Sequence, residues 1–150
     1  MLKIKRLVQS ATLPQKAHAG DLGYDLFASS WVDIFPDETK LVKTGIAIQF
    51  PEGYGGFIKD RSSVATKKEL FTVAGVIDNG YVGEIQVAMH NASDEVIEIT
   101  AGDKIAQLVL IPTVNFQVEE VDEVVSTDQR GEGGFGSTDK YIPYPYDSYK

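Results

Sequence analysis

The sequence predicts an all-β fold of the sandwich or barrel type, and three observations carry that prediction. Apolar side chains recur at every second position in several short runs. Between the runs the chain is punctuated by turn formers, among them Pro36, Pro51, Pro112, Gly45, Gly53, Gly55 and Gly56. Only residues 62–69, SSVATKKE, read as a helix, with Ser62 or Ser63 as its cap. Many short strands separated by turns bury their apolar faces by packing sheet on sheet or by closing into a barrel.

In chain order, strands are expected at 2–8, 24–28, 41–50 and 55–59. The clearest is 84–91, EIQVAMHN, where Ile85, Val87 and Met89 share one face and Glu84, Gln86 and His90 the other. Residues 95–99 and 104–111 alternate likewise around the turn Ala101-Gly102-Asp103, and a further strand is expected near 114–118. Asn79-Gly80 is a hairpin signal between 75–77 and 84–91. There is no internal repeat.

Composition removes whole classes of chemistry. A chain of 150 residues suits one domain with a core of its own. With no cysteine there is no disulfide, thiolate zinc site, iron–sulfur cluster or cysteine nucleophile. His18 and His90 are the only imidazoles, too few for a multi-histidine metal site. A net charge of −8 argues against a nucleic-acid groove, which needs a basic footprint. The basic start, MLKIKRLVQSATLP, lacks the apolar run of a signal peptide, and no run of apolar residues would span a bilayer. The expected setting is cytoplasmic, with no membrane.

The last third changes character. Residues 119–129 hold five acids, Glu119, Glu120, Asp122, Glu123 and Asp128, and no base. The following RGEGGFGST at 130–138 has four glycines in nine residues, and the chain ends in DKYIPYPYDSYK, rich in tyrosine and proline. These features divide the chain into a β domain at 1–128 and a flexible C-terminal arm at 129–150.

Five polar constellations interrupt the β pattern. In 130–138, closely spaced glycines let backbone N–H groups converge on anionic oxygens, while Arg130, Ser137 and Thr138 add donors. A linker gains nothing from exposing Phe135 between Gly134 and Gly136. In 75–84, GVIDNGYVGE, Asp78 reads either as an acid that opens an ordinary β-turn or, with the Tyr81 ring, as a grip for a small cyclic ligand. Asp60-Arg61-Ser62-Ser63 places an arginine and two hydroxyls where a helix begins. Asp25 lies between apolar neighbours, and Gln107 interrupts the apolar row KIAQLVLI.

The order of these segments resembles the trimeric dUTPase family. The five motifs of that family are matched by Leu22-Gly23-Tyr24-Asp25-Leu26, Arg61-Ser62-Ser63, Gly75 to Gly83, Gly102 to Gln107, and Arg130 to Thr138. The resemblance implies a jelly-roll-like β fold, a homotrimer whose C-terminal arm reaches a neighbouring subunit, and hydrolysis of dUTP to dUMP and pyrophosphate. It implies Asp78 as the catalytic carboxylate that orients the attacking water, and Tyr81 as the wall against a 2′-hydroxyl. Uracil is then read by the segment holding Gly75, Val76, Ile77 and Gln86. Arg61, Ser62, Ser63 and Gln107 contact phosphates, Arg130, Gly136, Ser137 and Thr138 close over them, and Phe135 stacks on the base. Mg²⁺ is the implied cofactor, with Asp25 holding it through water. Two alternatives are a dCTP deaminase-type relative and a non-catalytic nucleotide-binding regulatory module. Asp60, standing where the family usually has glycine or proline, is expected to point away or to cap the helix.

Overall fold

The computed structural model describes residues 1–126 and 131–132. Met1–Asn115 form one compact unit, and the described residues from Phe116 on belong to a second. The first unit contains ten strands and one helix: β1 (Lys3–Arg6), β2 (Gly23–Phe27), β3 (Val32–Ile34), β4 (Thr39–Gln49), β5 (Tyr54–Lys59), α1 (Ser62–Lys68), β6 (Leu70–Thr72), β7 (Val76–Ile77), β8 (Glu84–Asn91), β9 (Ile97–Ile99) and β10 (Lys104–Pro112). They form two four-stranded antiparallel sheets, in the orders β1-β4-β8-β6 and β2-β10-β5-β7, and a two-stranded sheet β3-β9. The fold is all-β, as the alternation predicts, and jelly-roll-like, as the resemblance implies.

The core is the sum of the alternating faces. On β8, Ile85, Val87 and Met89 are fully buried, whereas Glu84, Gln86, Ala88 and His90 are half-buried on the other face. They meet Val42, Ile46 and Ile48 of β4, Leu26 of β2, Ile58 of β5 and Leu108 of β10 in one cluster. Each such side chain contributes about 1.5–3 kcal/mol by leaving water. Asn91, the buried polar residue that ends β8, is satisfied: its amide donates to the carbonyls of Ile34 (2.9 Å) and Glu95 (2.7 Å).

Three expectations change. Residues 114–118 form no strand, and their alternating Val114, Phe116 and Val118 are all exposed, with no sheet face to bury among the described residues. The helix is capped neither by serine nor by Asp60; its N-cap is Arg61, whose side chain makes no cap hydrogen bond. The Asp60 carboxylate instead accepts the backbone N–H of Thr72 and fixes the start of α1 to β6. Finally, Asn79-Gly80 does not close a two-stranded hairpin. β7 pairs with β5 in one sheet and β8 pairs with β4 and β6 in the other, so the turn crosses between sheets.

That crossing has a mirror just before it. Val73 N–H still bonds to Ala88 O on β8, whereas Gly75 O already accepts from Ile58 N on β5. Between them, Ala74 and Gly75 both take positive φ, 62° and 101°. A side chain at Gly75 would place its Cβ 2.8 Å from Ile58 O, so glycine is required for approach to the protein's own β5.

Candidate active site

Ten of the predicted residues line two cavities. The first, of about 350 Å³, is lined by Leu41, Val76, Ile77, Asp78, Tyr81, Glu84 and Gln86. The second, of about 440 Å³, is lined by Ala17, Asp21, Leu22, Gly23, Asp25, Arg61, Ser62, Ser63 and Gln107. They share no lining residue.

The first cavity is built by the inter-sheet turn. Tyr81 N–H donates to Asp78 O at 3.1 Å and closes the turn. The Tyr81 hydroxyl donates to Glu84 O at 2.9 Å, which fixes its ring. The ring lies over Gly83 so closely that a Cβ there would sit 2.5 Å from the hydroxyl oxygen. Glu84 in turn accepts Gly45 N–H at 2.9 Å, where the pairing of β4 with β8 shifts register. An exposed carboxylate, a fixed phenol ring and the apolar Val76 and Ile77 thus face one space.

The second cavity is organised around Asp25. Its Oδ1 accepts from Arg61 Nε at 2.8 Å and its Oδ2 from Lys104 Nζ at 2.7 Å. Burial pushes the Asp25 carboxyl up, but the bonds from Lys104 and Arg61 outweigh it and hold the group below the ordinary carboxylate value. Asp25 therefore stays ionised at neutral pH. Gln107 is paired with Asp25 across β2 and β10, and its Nε2 donates to Asp60 O at 2.8 Å. This places the Gln107 amide on the backbone beside Arg61, with one amide hydrogen and the Oε1 still to spare.

Lys104 and Gln107 stand three residues apart, which on a regular strand would put them on opposite faces. The ladder of β10 with β2 is interrupted between Lys104 and Ala106, and consecutive Ile105 and Ala106 are both buried. This irregularity turns Lys104 to the face of Asp25, with its ammonium 5.8 Å from the Phe27 ring.

A family model for dUTPase matches residues 9–139. The chain belongs to the dUTPase family. Among relatives named deoxyuridine 5′-triphosphate nucleotidohydrolase, that of Clostridium kluyveri is 46% identical over 139 residues, covering 91% of this chain and 96% of its own. The relative from Hydrogenobaculum sp. is 45% identical over 140 residues, covering 91% and 96%. Among solved structures, a mutant dUTPase of Staphylococcus bacteriophage 80alpha with dUpNHpp aligns with a TM-score of 0.85 at 32% identity, covering 92% of this chain and 98% of that one. A mutant dUTPase of phage phi11 of S. aureus, described for the coordination of a structural Mg(II) ion, aligns at 0.76 with 30% identity, covering 82% and 97%.

Within this family member, Val76, Ile77, Asp78, Tyr81 and Gln86 come together in one cavity and Asp25, Arg61, Ser62, Ser63 and Gln107 in the other. Gly75 lies behind the first, against β5. Arg130, Phe135, Gly136, Ser137 and Thr138 lie outside the described residues. The residue-by-residue reading missed Leu41 and Glu84 in the first cavity and Lys104 beside the second. Lys104 had a signal, since it sits inside the fourth motif; Leu41 had none, because its cavity forms only when β4 pairs with β8.

Among the described residues no group of three or more His, Asp or Glu is placed to bind a metal directly. Asp25 nonetheless suits an ion held by phosphates and retained waters, because each of its oxygens keeps a lone pair beyond the bond to Arg61 or Lys104. No helix among the described residues is long and apolar enough to cross a membrane.

Proposed function

We propose that the protein hydrolyses dUTP to dUMP and pyrophosphate, and that Asp78 orients the attacking water. The observation that carries this reading is the pairing of Asp78 and the fixed Tyr81 ring in one cavity on one closed turn. The nucleoside sits against Val76, Ile77 and Gln86, with its sugar on Tyr81, whose ring leaves no room for a 2′-hydroxyl. Asp78 accepts a hydrogen bond from water and takes its proton as the oxygen forms a bond to the α-phosphorus. The bond from that phosphorus to the bridging oxygen breaks, and the electron pair leaves with pyrophosphate. Such a reaction depends mostly on positioning and on charge stabilisation.

The triphosphate belongs to the second cavity. Arg61 commits its Nε to Asp25 and presents the rest of its guanidinium fork, with the Ser62 and Ser63 hydroxyls beside it. Mg²⁺, when bound, neutralises phosphate charge, and Asp25 would hold it through water. Because nucleoside and phosphate groups line separate cavities, we infer that a homotrimer joins one cavity of one subunit to the other cavity of its neighbour. Arg130, Gly136, Ser137 and Thr138 then cover the phosphates and Phe135 covers the base.

Pyrophosphate release measured across the dNTPs and UTP, with and without Mg²⁺, tests the reading. The expected result is release from dUTP alone, stimulated by Mg²⁺. Ammonia release from dCTP, or binding of dUTP without release, would replace it with a deaminase or a regulatory binding module.

A further inference from the structure

We propose that Asn79 is a positioning residue for this reaction, anchoring the turn that carries Asp78 and Tyr81; this rests on the reading of Asp78 given above. The Asn79 Nδ2 donates to Pro51 O at 2.8 Å, in the turn after β4, and to Tyr54 O at 2.6 Å, at the first residue of β5. Both partners are carbonyls, so the orientation of the amide is fixed by chemistry. Ile77 is paired with Gly56 before the turn, and Glu84 with Ala47 after it. The other turn and side-chain hydrogen bonds of 78–83 stay close by in sequence: Tyr81 N–H to Asp78 O, and the Tyr81 hydroxyl to Glu84 O at the start of β8. The two bonds from Asn79 thus tie the turn to a stretch of chain distant in sequence. Close packing reinforces the site, for a Cβ at Gly55 would sit 3.0 Å from Ile77 O and 3.9 Å from Asn79 N.

The geometry makes Asn79 a determinant of where the carboxylate stands. The turn crosses between two sheets, so no strand partner holds Asp78 in register. The Pro51 carbonyl also accepts Tyr54 N–H, and Gly53 O accepts Thr113 N–H just beyond β10, which keeps the anchoring turn in place. A side chain that is itself exposed thereby ties the reacting groups to a braced part of the fold. Positional errors of about 1 Å at a reacting centre cost on the order of 100-fold in rate.

The test compares Asn79→Ala and Asn79→Asp with the wild-type chain in dUTP and UTP turnover, thermal melting and amide hydrogen exchange. The aspartate keeps the shape but sets a carboxylate against two carbonyls, and it serves if the alanine variant does not fold. Both variants should lose roughly tenfold or more in kcat for dUTP, with KM changed less, and should discriminate less against UTP because Tyr81 rides on the same turn. A merely structural role would lower the melting temperature while leaving kcat and selectivity per folded molecule unchanged, and that result overturns the proposal. Exchange at Gly80 and Tyr81 should quicken by about tenfold, and unchanged exchange also overturns it. Wild-type turnover by Asp78→Asn would instead remove Asp78 from the reading above, and the exchange result would still report the anchor.

Discussion

Asp25 and Arg61 lie 36 residues apart in sequence and meet at 2.8 Å, with the guanidinium Nε donating to the carboxylate. Lys104 holds the other carboxylate oxygen, so a half-buried anion carries two cations at the wall of the second cavity. The arrangement fixes Arg61 by one edge and leaves the rest of its fork at the second cavity.

This pairing gives stability a defined dependence on pH. The Asp25 carboxyl is held below its ordinary value of 3.8 in the folded chain, so its contribution is complete above that value and is lost as pH falls below it. Asp25→Asn should cost about 1–3 kcal/mol at pH 7. The gap from wild type should narrow toward pH 3. Urea midpoints at the two pH values measure it; a constant gap would show that ionisation of Asp25 is not involved.

Asp78→Ala should lower turnover of dUTP by roughly 100-fold to 10,000-fold while largely sparing affinity for a non-hydrolysable analogue. Pyrophosphate release and titration calorimetry separate the two effects. A variant that turns over at the wild-type rate would falsify the catalytic assignment.

Tyr81 can be moved in two ways. Tyr81→Ala removes the ring and should admit UTP. Gly83→Ala keeps the ring but sets a methyl 2.5 Å from its hydroxyl, so the ring must shift and selectivity should fall in the same direction. The ratio of kcat/KM for dUTP and UTP is the measurement. Relaxed selectivity in the first variant alone would mean that the position of the ring matters less than its presence.

Phe135→Trp places a reporter in the proposed arm. Binding of a nucleotide analogue should quench its fluorescence relative to a control in which Trp31, the natural tryptophan, is unchanged. An unmoved signal would remove base stacking from the role of Phe135.

Most strands were legible because each buries one face of a sheet within the same chain. On β8 every apolar residue predicted inward is buried. Residues 114–118 show the limit of that logic: alternation marks a strand only where some face receives it, and these side chains remain exposed. β3, β6 and β7 were not separately visible, being two or three residues long. The polar residues stood out as interruptions of an apolar pattern, yet their partners did not. That Asp25 meets both Arg61 and Lys104 follows from pairings of β2, β10 and β5 that no local stretch specifies. The turn at Asn79-Gly80 was seen for what it is locally, whereas its crossing from one sheet to the other depends on strands far away in sequence.

The irregular step at Ile105 makes the spacing inside the fourth motif one residue longer than its ladder with β2 requires. Excising that single residue would leave a β10 that still alternates and still pairs with β2, but with a regular ladder in which Lys104 and Gln107 become neighbours two apart. Both would still share a face, Lys104 opposite Phe27 and Gln107 opposite Asp25, so what the extra residue supplies is the buried Ile105 side chain itself. The chain thus uses one extra residue of length beside the second cavity to set two consecutive side chains, Ile105 and Ala106, into the core.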